Sequence, residues 1–172
     1  KLEALHTDAF GWALHCCGSD HSRAEDILQT AYARLMQGRA THDGRSTLKT
    51  WWFGVIRLTA HEEHRRQRYR ESLLGRLMGF ISPETEHDPR PSPSRQIEIK
   101  EQTQQLRAML AQLPARQAEV LHLVFYQDLT LDAAATVMGI SGGSARQHYE
   151  RGKARLRALI SESTFTFLAS HE

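Results

Sequence analysis

The chain has 172 residues, 40% of them hydrophobic, enough for a folded helical or mixed core, and no apolar run long enough to span a bilayer or act as a secretion signal. Its 22 Lys and Arg against 20 Asp and Glu leave a formal charge of only +2. That excludes a protein holding nucleic acid through phosphate contacts alone, so any DNA binding is local or is shared with a partner.

The chain starts at Lys1 rather than Met, so residues are expected to precede it. The only two cysteines, Cys16 and Cys17, are adjacent and form no disulfide framework, which suits a reducing cytoplasm. Leu5, Ala9, Trp12, Ala13 and Cys16 recur at helical spacing and predict a first helix ending at Gly18. Ser22 with Glu25 forms a capping box that opens a second helix through about Gln37, with a stripe of Ile27, Leu28, Ala31, Tyr32 and Leu35, and Gly38 ends it. A polar loop over 39–45 follows, with a turn signal at Asp43-Gly44. Ser46 or Thr47 then caps a long third helix that buries Leu48, Trp51, Trp52, Val55, Ile56 and Thr59. The segment 73–81 either continues that helix or packs separately.

From Ser82 the composition changes sharply. Residues 82–94 carry four of the five prolines and predict a linker between two helical domains, 1–81 and 95–172. A fourth helix is expected from about 95 to 112, with Ile97, Leu106, Met109 and Leu110 on its apolar face. Pro114 starts a fifth helix with core positions Val120, Leu121, Val124 and Phe125. Thr130 caps a short helix that stops at Gly139, and Ser141 caps another beginning with Gly142 and Gly143. That last helix runs polar and basic and continues to Ile160, with Leu156 and Leu159 buried; 161–172 reads as a loose tail. No strand pattern appears. The fold class is therefore all-α, two small helical domains on a flexible linker, the C-terminal one with a helix-turn-helix. A helix–Gly–helix pattern alone fits DNA binding and ordinary bundle packing equally.

Two stretches decide between these. LPARQAEVLHLVFYQDLTLDAAATVMGISGGSARQHYERGKARL resembles the C-terminal domain of extracytoplasmic-function sigma factors of bacterial RNA polymerase. SRAEDILQTAYARLM with DGRSTLKTWWFGVIRLTAHEEHRRQR resembles the N-terminal domain of the same family. They stand in the family's order on either side of the linker. The chain departs from the family pattern at Thr30 (usually Glu), Leu58 (usually Asn) and Glu63, which adds acid beside the basic tail. Ala134 and Ala145 replace larger Ile and Val. Each lost pair of methylenes removes roughly 1.5 kcal/mol of burial, so the C-terminal domain is expected to be less stable alone than a family consensus domain.

The resemblance implies a sigma factor that binds core RNA polymerase and two promoter elements and is itself not an enzyme. For the minus-thirty-five element it places contacts on Arg146, Gln147, Glu150 and Arg151. Their chemistry fits: Arg can donate twice to guanine, Gln can pair with adenine, and Glu accepts from cytosine N4. An ion pair with Lys153 or Arg146 is the competing reading of Glu150. Ser144, His148 and Lys153 suit phosphate contacts, which position without specifying. For the minus-ten element on the melted non-template strand, the loop supplies Arg39, Thr41, His42, Asp43 and Arg45, and the third helix adds Thr47, Lys49, Thr50 and Trp51. Trp51 and Trp52 point about 100° apart, so at most one is exposed for stacking. The cluster Arg65, Arg66, Arg68 and Arg70 reads as a solvated face, or as contacts to upstream duplex phosphates. The resemblance places the docking surface for polymerase clamp helices on Asp26, Gln29, Thr30 and Arg34.

Ten histidines raise a metal site, through His15, Cys16, Cys17 and His21 or through His61 and His64. No four ligands converge at zinc spacing, so no metal and no cofactor is expected. An anti-sigma protein is the expected regulatory partner. The alternatives are a stand-alone helix-turn-helix regulator and a helical metal sensor.

Overall fold

The computed structural model describes residues 2–78 and 109–169, with side chains described outside 74–78 and 162–169. The predicted linker at 82–94 and most of the predicted fourth helix lie outside these residues; the helical turn at 109–111 is the part of that helix described. A 3₁₀ turn, Glu3–Leu5, leads into α1 (His6–Cys16), followed by α2 (His21–Met36) and α3 (Leu48–Met78). Beyond the undescribed stretch come α4 (Ala115–Phe125), α5 (Leu131–Met138) and α6 (Gly142–Ala169). Among the described residues there is no strand.

Local chemistry explains most boundaries. Thr47 Oγ1 accepts from Thr50 N at 3.1 Å, Thr130 from Ala133 N at 3.2 Å and Ser141 from Ser144 N at 3.1 Å, so α3, α5 and α6 each start with a satisfied donor. Gly139 closes α5 in the left-handed region at φ 64°, where a Cβ would be strained. The second helix starts earlier than the Ser22–Glu25 box predicts: Asp20 is the cap, accepting from Arg23 N at 3.1 Å. Pro114 is the residue before α4 rather than inside it. The segment through Met78 continues α3, giving a helix about 46 Å long. Helix α6 likewise runs on to Ala169, past the expected end at Ile160 and into what reads as a tail.

Helices α1, α2 and α3 pack on one another, as do α4, α5 and α6, and α5 also packs on α3. This last contact fuses the two units. One continuous apolar cluster joins Trp12, Ile27, Leu28, Trp52, Phe53 and Ile56 to Val120, Leu123, Val137 and Met138. The Trp12 indole N–H donates to Phe53 O at 3.0 Å, tying α1 to the middle of α3. Phe53, absent from the predicted stripe, is fully buried, whereas Trp51 and Val55 are half-buried. Phe125 is also not core: it is 56% exposed and stacks on Tyr149, while Leu123 takes the buried position. Close approach of α4 to α6 depends on Gly152, where a Cβ would sit 3.1 Å from Leu121 Cδ1 and 3.2 Å from Gln117 Cβ.

Candidate nucleic-acid interface

The recognition helix is presented by α5 and the turn after it. Ala145 and Gly152 face inward and are buried, which fixes the rotation of α6 about its axis. With those two inward, Ser144, Arg146, Gln147, Glu150 and Arg151 are exposed. Arg146 and Gln147 lie in the first turns and Glu150 and Arg151 one turn on, so the four base-reaching side chains share the outer surface. His148 and Lys153 are half-buried at its edges. Lys153 Nζ lies 3.6 Å from Glu150 Oε2 and 4.9 Å from the centroid of the Tyr149 ring. Glu150 thus has the ion-pair partner that its competing reading requires. With the Glu150 side chain 61% exposed, such a pair contributes about 0–1 kcal/mol and does not hold Glu150 away from a base. Arg155 and Arg157 are also exposed and extend the cationic surface beyond the predicted residues.

The loop before α3 is held by short-range bonds. Asp43 accepts from Arg45 N at 3.1 Å and pairs with the Arg45 guanidinium at 3.3 Å, around Gly44 at φ 78°. His42 Nε2 lies 2.9 Å from Ser46 O, and its ring meets Trp51 edge-on at 5.4 Å. Arg39, Thr41, His42, Asp43, Arg45 and Thr47 are exposed, so this loop offers cations, hydroxyls and one half-buried indole together. Trp52 is the core member of the tryptophan pair, packed on Tyr32 at 4.9 Å, and Thr50 is buried too, its hydroxyl 2.8 Å from that of Thr47, so it is not available to a strand. Two predicted residues carry structural duties here. Thr47 caps α3, and Lys49 Nζ binds Asp8 Oδ2 at 2.8 Å, anchoring α3 to α1. That Lys49 partner is 41 positions away and gives no local sequence signal.

On α2, Asp26, Gln29 and Thr30 are exposed on one face, opposite buried Ala24, Ile27, Leu28 and Ala31. Arg34 is not part of that free face: its side chain is largely buried and bonded to Glu62 of α3. Met36, at the end of α2, is 88% exposed, and Leu58 on α3 is 57% exposed, two apolar groups the helical spacing does not single out as surface. In the basic cluster, Arg66 and Arg70 both reach Glu63, at 3.8 and 2.9 Å. Arg65 and Arg68 are exposed and have no ion pair among the described residues. No group of three or more His, Cys, Asp or Glu among the described residues is placed to hold a metal ion. No described helix is long and apolar enough to cross a membrane.

The family profile for Sigma-70 region 2 matches residues 2–70, and that for Sigma-70, region 4 matches 109–158. The chain is 26% identical over 157 residues to the ECF RNA polymerase sigma factor SigX of Bacillus subtilis, covering 90% of this chain and 79% of SigX. Its fold is similar to that of the sigma factor RpoE solved with the anti-sigma factor NepR from Bartonella quintana. There the TM-score is 0.65 at 22% identity, over 93% of this chain and 94% of RpoE. It is also similar to CnrH solved with the cytosolic domain of CnrY, at TM-score 0.60 and 19% identity, over 94% of this chain and 86% of CnrH.

Proposed function

The chain belongs to the extracytoplasmic-function sigma factors of the sigma-70 family, and from that premise we propose how its surfaces divide the work of initiation. The observation that carries the reading is the order of two helical units on one chain. A region 2 unit bears an exposed cationic and aromatic loop, and a region 4 unit bears an exposed recognition helix.

Arg146 and Gln147 read the minus-thirty-five element through base edges, with Glu150 and Arg151 beside them and Ser144, His148 and Lys153 on the phosphates. Arg39, Thr41, His42, Asp43 and Arg45 hold the melted minus-ten strand, and the half-buried Trp51 receives an unstacked base against His42. Thr47 and Lys49 act mainly by fixing the start of α3. Asp26, Gln29 and Thr30 dock on core RNA polymerase, and Arg34 holds α2 to α3 beneath them. The domain division is 1–81 and 95–172, with 82–94 setting the reach between them. Sigma factors are not enzymes; this chain carries no catalytic activity of its own and works in the cytoplasm beside polymerase. RpoE and CnrH were each solved with a regulatory partner, and an anti-sigma protein controls this chain as well.

Binding of a labelled promoter duplex, measured by fluorescence anisotropy with and without core polymerase, tests the division. Tight, sequence-selective binding should require polymerase, in keeping with the net charge of +2. Equally tight selective binding by the protein alone would favour a stand-alone regulator.

A further inference from the structure

The two units meet through more than apolar contact. Glu119 on α4 bonds to Arg57 on α3, with only 12% and 13% of the two side chains exposed. Arg116 reaches the other Glu119 oxygen at 3.3 Å. Beside this pair, rings from both units form a cluster around a short stacked column of His15 and His122, with Trp12 flanking both. His15 of α1 stacks on His122 of α4 at 4.3 Å, Trp12 lies 5.4 Å from His15 and 5.5 Å from His122, and Tyr126 stacks on the outer side of His122 at 5.3 Å. Gln127, itself buried, has its amide nitrogen 3.4 Å from His122 Nε2. An open cleft of about 210 Å³ borders the column, lined by His15, Cys16, His61, His64 and Glu119 among others.

We propose that the Arg57–Glu119 pair and the His15–His122 ring column form a latch that holds the two promoter-binding units together in the free protein and releases them on acidification. The functional consequence rests on the sigma-factor reading; the latch itself does not. The latched form leaves the recognition helix, the loop at 39–45 and the Asp26 face exposed, so it does not act by covering them. It acts on spacing. A compact chain of this length averages about 40 Å across, and even its long third helix spans only about 46 Å. Promoter elements separated by about 25 base pairs lie about 85 Å apart along B-form DNA. One unit cannot reach the second element until α5 leaves α3.

The column is suited to respond to protons because two imidazoles in van der Waals contact cannot both be charged without repulsion. Burial, followed by the neighbouring His15, lowers the His122 pKa to about 3. Burial also lowers that of His15, against an opposing pull from the Glu119 carboxylate. His61, at the cleft edge, is lowered by burial and then by Arg57. The other ionisable groups at the column are Cys16, Tyr126, Arg57 and Arg116. A base whose pKa is lower in the latched form favours that form fully above its free value near 6.5, and the preference is lost as pH falls toward 3. From pH 7.5 to pH 5, His122 alone shifts the balance toward the open form by up to about thirtyfold, the limit reached when opening frees its ring fully, and His15 adds to it. At pH 5 most carboxylates remain ionised, so the shift precedes general acid unfolding.

Small-angle scattering on the full chain at pH 7.5 and pH 5.0, paired with far-UV circular dichroism, tests this. The expected result is a compact particle at pH 7.5 that expands at pH 5.0 with helix content unchanged. His122→Phe keeps a ring in the column but takes no proton, and is expected to stay compact at both pH values; His122→Leu serves the same purpose should the Phe variant fail to fold. A wild-type particle that stays compact at pH 5.0, expansion accompanied by helix loss, or a proton-blind variant that expands like wild type would each overturn the proposal. These measurements use no polymerase, so their failure leaves the promoter assay standing, and failure of the promoter assay leaves the latch measurable.

Discussion

Replacing Glu119 with Leu should uncouple the two units. The change strands the Arg57 guanidinium, only 13% exposed, with no counter-charge. Removing one partner of a buried pair costs about 3–5 kcal/mol, whereas replacing both with apolar residues is often neutral or stabilising by about 1–4 kcal/mol. The Arg116 contact comes from a side chain 46% exposed, so its loss adds about 0–1 kcal/mol at most. The penalty is bounded in a useful way. The pair joins α3 to α4 across the boundary between units, so when the cost exceeds the interface free energy the units separate and Arg57 regains water. A double-mutant cycle of Glu119→Leu, Arg57→Leu and the pair, followed by urea denaturation and scattering, measures this. The Glu119→Leu single variant should expand and lose a shared unfolding transition, and the double variant should recover both. A single variant within about 1 kcal/mol of wild type and equally compact would mean that Arg57 is not confined by the closed form and that the pair does not couple the units.

Three further outcomes follow from the same packing. Gly152→Ala places a Cβ 3.1 Å from Leu121 Cδ1 and should destabilise the region 4 unit by about 1–3 kcal/mol in thermal melts, without changing the recognition face. Ala134→Ile should act with opposite signs in two contexts. In a 95–160 fragment it fills the region 4 core and raises the melting temperature, while in the full chain fully buried Ala134 belongs to the shared cluster, so overpacking there should cost about 1–3 kcal/mol. Arg146→Ala, tested on holoenzyme, should cost about 1–3 kcal/mol on the cognate promoter and relax its sequence preference, whereas a loss uniform across DNA sequences would assign Arg146 to phosphate contact.

The helix-turn-helix was legible because its signals are local: Thr130, Gly139 and Ser141 each act on backbone groups within a few residues. The outer face of α6 came from the family resemblance, and buried Ala145 and Gly152 turn its residues outward. Locality also explains the errors. A Ser22–Glu25 pattern looks like a capping box, yet Asp20 two residues earlier has the same chemistry and takes the cap. Phe53 lies between Trp52 and Gly54, where a helical stripe can be drawn on either side, and only the position of Trp12 and α5 selects the buried one. The partners of Lys49, Arg34 and Arg57 are 41, 28 and 62 positions away, so which cations are committed within the protein and which are free for DNA or polymerase is set by tertiary packing. The shared core has the same character. Val120 reads as core of the second unit, but nothing in its spacing says that part of what covers it, and covers Leu123 beside it, is α1 and α3.

A chain that directs polymerase to promoters through two separately exposed surfaces must support initiation by itself once core polymerase is supplied. Run-off transcription with core polymerase on a promoter template, with and without the protein and in the absence of any anti-sigma partner, tests it most directly. Promoter-dependent transcripts should require the protein and fall with Arg146→Ala or with substitution of Asp26 and Gln29. Transcript levels unchanged by adding the protein, on templates that core polymerase with another sigma factor does transcribe, would contradict it.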